Sequence, residues 1–172
     1  MIPHRLLSGD FADQFQYGGR YLSVFTAMFL HGGWLHLIGN MLYLWIFGDN
    51  VEDRLGRVRF FLFYILCGIA ASVGQAYASP HSNIPTIGAS GAVAGVLGAY
   101  FTLFPRARVL TLIPIGFIIR VMELPAFFFL GFWFLIQFLY GSMMRTESGV
   151  AWWAHVGGFV AGAVLVQIFK KR

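Results

Sequence analysis

The chain has 172 residues, of which 58% are hydrophobic and 11% charged, and its mean hydropathy is +0.71. No water-soluble domain of this size carries that composition, so the sequence reads as an integral membrane protein. The formal net charge of +5 does not point to nucleic acid, because the basic residues cluster between apolar runs and act as topology signals.

Residues 1–20 read as a polar surface segment with no cleavable signal peptide, since no basic stretch leads into an apolar one. Insertion is expected to rely on the spans themselves. Residues 21–30 are apolar and lead into His31-Gly32-Gly33, where the first full helix is expected to start. Residues 34–47 continue it, and Gly48-Asp49-Asn50 with Glu52, Asp53, Arg54, Arg57 and Arg59 read as a charged connection. A second span covers 60–78, followed by the polar stretch Ser79-Pro80-His81-Ser82-Asn83. A third covers 89–104 and stops at Pro105-Arg106-Ala107-Arg108. Residues 109–119 are apolar but too short to span, and Pro114 and Gly116 interrupt them, so they are placed on the membrane surface or in a hairpin. A Phe-rich fourth run covers 124–140, a polar loop 141–149, and a last span 150–169. The expected fold is an all-α polytopic transmembrane helical bundle of about five spans, forming a single domain over 1–172 with 1–30 as an outer-side segment and 31–172 as the bundle.

Positive charge sets the orientation. With a cytoplasmic C-terminus, Arg54, Arg57, Arg59, Arg106, Arg108, Arg120, Lys170, Lys171 and Arg172 lie inside, and only Arg5, Arg20 and Arg145 lie outside. Five spans ending inside place the N-terminus outside. Either 21–30 dips into the bilayer without crossing, or a further N-terminal span is missing.

The third span offers about 24 Å of helix against a hydrocarbon core of about 30 Å, and its inner end is pinned at Arg106. Ser90 is therefore expected on the first turn of a sunken helix, with the loop before it descending into the protein. Irregular backbone at that depth needs protein around it or a watery cavity. Gly91, Ala94, Gly95, Gly98 and Ala99 give this helix a small-residue face, and Ala151, His155, Gly158 and Gly162 form a matching stripe on the last span. If the two faces pack with the helices running the same way, Ser90 and His155 meet at similar depth as a nucleophile and its base. His36 and Asn40, spaced i, i+4, share one helix face and suit hydrogen-bond donation to an oxyanion. No carboxylate or thiol completes a zinc shell with the histidines, so no metal or other cofactor is expected. Cys67 is the sole cysteine and excludes an internal disulfide. Trp34, Trp45, Trp133, Trp152 and Trp153 are accounted for by interface anchoring or packing.

Three segments together, His31-Gly32-Gly33-Trp34-Leu35-His36-Leu37-Ile38-Gly39-Asn40, Gly88-Ala89-Ser90-Gly91 and Ala154-His155-Val156-Gly157-Gly158, resemble the signature segments of the rhomboid intramembrane serine proteases. The resemblance covers roughly residues 21–169. It implies a Ser90–His155 dyad without an Asp, an oxyanion hole of Asn40, His36 and the Ser90 N–H, and Gly88 and Gly91 shaping the turn around the serine. It also implies transmembrane protein substrates within a lipid bilayer, and a bacterial inner membrane as the setting. The pattern departs from the family in three places. An expected first span is absent, Leu22-Ser23 stands where a Trp-Arg pair is common, and Ala94 stands where some members carry an aromatic that stacks on the histidine. Two rival functions remain: a catalytically silent relative that binds membrane clients, and a small transporter component using His36, Asn40 and His155 as a polar path.

Overall fold

The computed structural model describes residues 1–8, 19–143 and 149–171. Arg145 and Arg172 from the charge count, together with much of the polar loop 141–149 and of the N-terminal segment, lie outside the described residues. In chain order the described elements are α1 (Pro3–Leu7), α2 (Arg20–Thr26), a 3₁₀ turn (Ala27–Phe29), α3 (Trp34–Leu55), α4 (Arg57–Ala78), α5 (Ser90–Leu103), β1 (Arg108–Ile115), β2 (Ile118–Pro125), α6 (Ala126–Met143) and α7 (Trp152–Phe169). The fold is a helical membrane bundle, with α4, α6 and α7 each long and apolar enough to cross a bilayer. The segment from α2 through the 3₁₀ turn meets the same test together with α3, from which it is bent by 81°. Helix α5, with 14 residues, is shorter.

Three boundaries differ from the sequence expectation. Helix α3 starts at Trp34, leaving His31 off the helix with its ring edge-on to that of His36. It also runs through the charged stretch to Leu55, because Phe47, Val51 and Leu55 recur every four residues and are all buried. Gly56 alone then separates α3 from α4. Residues 109–119 belong to a two-stranded antiparallel hairpin whose second strand takes up Leu124, and Arg108 and Glu123 form an ion pair at 3.0 Å across it. The hairpin supplies the only strands among the described residues.

Helix α5 is the axis of the bundle. Every residue from Gly91 to Tyr100 is buried, with α3, α4, α6 and α7 packed around it. Its small face makes this possible. A Cβ built at Gly158 would fall against the Gly91 carbonyl, one at Gly162 against the Gly95 carbonyl, and one at Gly98 against the Phe159 carbonyl. From Gly91–Gly158 to Gly95–Gly162 both numbers rise by four, so α5 and α7 run parallel, backbone to backbone. On the other side Ala71 and Cys67 of α4 pack against Gly91 and Gly95. This seam sets the register of everything at the N-terminal ends of α5 and α7.

Candidate active site

Ser90 is the first residue of α5 and His155 lies in the first turn of α7. Because the two helices are parallel and close, their side chains meet: Ser90 Oγ and His155 Nε2 are 2.9 Å apart. The loop that delivers Ser90 is strapped by backbone bonds to the N-terminal segment. The N–H of His4 donates to Ser82 O at 3.0 Å, that of Thr86 to Met1 O at 2.7 Å and that of Gly88 to Ala27 O at 2.9 Å. Gly88 has φ +115, and a Cβ there would come within 2.6 Å of Nε2 of His36. Both the conformation and the closeness of the imidazole require glycine.

His36 and Asn40 stand on the face of α3 that meets Gly88 and Ser90. Nδ1 of His36 accepts from the Gly32 N–H at 3.4 Å, which leaves Nε2 as the protonated, donating nitrogen. Asn40 is buried, with 7% exposure, and donates one Nδ2 hydrogen to His36 O at 3.0 Å. Its second amide hydrogen remains for another acceptor. A cavity of about 410 Å³ lined by Gln75, Ile87, Ser90, Ala151 and His155 opens at this end. A second, of about 300 Å³, is lined by His36, Asn40, Tyr43, Ser90 and Trp133. All six sequence-selected positions, Ser90, His155, His36, Asn40, Gly88 and Gly91, thus lie in one region. Gly91 lies inside the first turn of α5, where its missing side chain admits Ala71 and the α7 backbone.

Four polar or aromatic neighbours were not anticipated in these roles. Gln137 of α6, 6% exposed, places Oε1 2.7 Å from Nδ1 of His155. Gln75 of α4 accepts the Ala154 N–H at 3.1 Å, tying α4 to the first turn of α7. Trp133 sits 6.0 Å from the His155 ring centroid at 36°, and Trp152 meets the same ring edge-on at 6.3 Å. The aromatic support that Ala94 cannot give comes from α6 and α7 instead. A buried amide within an apolar run was the available signal for both glutamines.

A serine hydroxyl on an imidazole nitrogen, with donors on the adjoining helix and a helix N-terminus behind it, is the geometry of acyl transfer. Comparison with known proteins points the same way. The Rhomboid domain family model matches residues 18–172. The mitochondrial Rhomboid protein 1 of Saccharomyces cerevisiae is 30% identical over 160 residues, covering 87% of this chain and 42% of its own length. The rhomboid protease GluP of Bacillus subtilis is 34% identical over 146 residues, covering 84% of this chain and 25% of its own. The chloroplastic Rhomboid-like protein 11 of Arabidopsis thaliana is 33% identical over 152 residues, 85% of this chain and 51% of its own. The chain therefore spans between a quarter and about half the length of these relatives.

Proposed function

The chain belongs to the rhomboid family, and from that membership we propose that it is an intramembrane serine endopeptidase acting on transmembrane protein substrates. The observation that carries this reading is the 2.9 Å hydrogen bond between Ser90 Oγ and His155 Nε2. His155 Nε2 takes the Ser90 proton as Oγ bonds to the scissile carbonyl carbon, and the carbonyl π electrons move onto oxygen. The resulting oxyanion is held by the Ser90 N–H, Asn40 Nδ2 and His36 Nε2. Collapse breaks the C–N bond, and the imidazolium returns its proton to the leaving amine. Water, entering through the 410 Å³ cavity, then gives up a proton to His155 as its oxygen bonds to the acyl carbon; the Oγ–C bond breaks, the imidazolium returns that proton to Ser90 Oγ, and the acyl group leaves as a carboxylic acid. The positive-inside count supports a site toward the non-cytoplasmic face of the host membrane, a bacterial inner membrane in this reading.

The test is a fluorophosphonate probe applied beside a cleavage assay on a model transmembrane substrate in proteoliposomes. The folded wild-type chain is expected to label and to cleave, and Ser90→Ala and His155→Ala are each expected to lose nearly all of both. Their double variant should be little worse than either. A folded wild-type chain that neither labels nor cleaves would instead favour a silent, client-binding relative or a transport component.

A further inference from the structure

Helix α6 is a run of Phe, Leu and Trp with one buried polar side chain, Gln137, along its length. A primary amide in such surroundings costs free energy unless it is bonded, and its Oε1 is bonded to Nδ1 of His155 at 2.7 Å. A carbonyl oxygen only accepts, so Nδ1 carries the proton of the neutral imidazole. The other nitrogen, Nε2, then presents its lone pair to Ser90 Oγ, 2.9 Å away, which is the form a general base needs. The opposite tautomer would aim an N–H at Oγ and could not accept its proton.

We propose that Gln137 is a positioning residue that fixes His155 in its Nδ1–H tautomer, making the site a hydrogen-bonded row of Ser90, His155 and Gln137. The inference rests on the proposed protease reading for its effect on turnover, but its hold on the imidazole is independent of that reading. When Nε2 takes the serine proton, Nδ1–H stays on Oε1 and both nitrogens remain satisfied without any side-chain movement. A carboxylate in the same place would add a buried charge, which is costly in a membrane interior. The amide supplies direction without that cost. Trp133 reinforces the arrangement, standing one turn earlier on the same face of α6 and covering the ring.

The experiment replaces Gln137 in the full chain by Met, which matches the shape without an acceptor, and by Glu, which keeps an oxygen in place. Gln137→Met is expected to lower kcat by about 10- to 100-fold, below the loss of about 10⁴ that accompanies a wrong tautomer in a charged triad, while KM stays within about twofold and Tm does not fall. In ¹⁵N-histidine spectra the His155 proton should move from Nδ1 toward Nε2. Gln137→Glu should retain most of the wild-type kcat. Wild-type kcat in Gln137→Met, or a fallen kcat with Nδ1 still protonated, would overturn the proposal. If the wild-type chain itself cleaves nothing, the protease reading fails, while the nitrogen shifts still report whether Gln137 holds the ring.

Discussion

The adjacent residues Gly157 and Gly158 give the sharpest test of how the site is built. A Cβ at Gly158 would fall on the Gly91 carbonyl, one residue from the serine, whereas at Gly157 it would meet only Ala70 O at 3.6 Å and two Cα atoms at 3.7 Å. To accommodate Gly158→Ala, α5 and α7 must part by roughly 1 Å, since a backbone clash has no side chain to swing aside. The Ser90–His155 bond of 2.9 Å would then lengthen beyond hydrogen-bond reach. Misplacement of about 1 Å costs on the order of 10² in rate, and the strained packing about 1–3 kcal/mol. Gly157→Ala fits in ordinary contact and should leave both cleavage and melting near wild type. The assay is kcat on a model transmembrane substrate together with thermal unfolding in detergent. Equal activity for the two variants would refute the claim that backbone contact between α5 and α7 sets the catalytic distance.

Asn40→Ala removes one oxyanion donor and should reduce kcat by about 10²–10³-fold while leaving residual turnover, as single-turnover kinetics would show; unchanged kcat would take Asn40 out of the hole. Gly88→Ala forces a side chain into the left-handed region and against the His36 ring, and should cost about 1–3 kcal/mol of stability along with most activity, measured by melting and cleavage. A cysteine at Ser8, in a Cys67→Ala background, should react with an impermeant maleimide in intact cells, and one at Ala107 should not; the reverse pattern would invert the topology read from the basic residues.

The meeting of Ser90 and His155 was legible because small residues at helical spacing signal helices that touch, and touching helices place their polar residues together. Ser90 and His155 each stood in such a run. Gln137 was not legible in the same way: a neutral amide has no charge signature, and the Phe-rich run around it shows no face that periodicity could single out. The extension of α3 past Gly48 was readable in the buried series Phe47, Val51 and Leu55, but the charges beside it suggested a stop. These charged residues lie at the end of a helix whose opposite face is still core, so polarity marked exposure and not termination. The hairpin at Arg108–Pro125 was half visible, since Pro114 and Gly116 exclude a span but pairing partners are not encoded in either strand alone.

The seam between α5 and α7 also has a consequence for biogenesis. Ser90 and His155, which it brings together, are 65 positions apart, and the hairpin and α6 must be made between them. A chain still under synthesis therefore inserts its serine well before the helix that carries its histidine exists, and the glycine face of α5 waits uncovered on that side. Until α7 docks, Ser90 has no imidazole beside it. On the proposed protease reading, activity would therefore begin only once α7 has docked against α5.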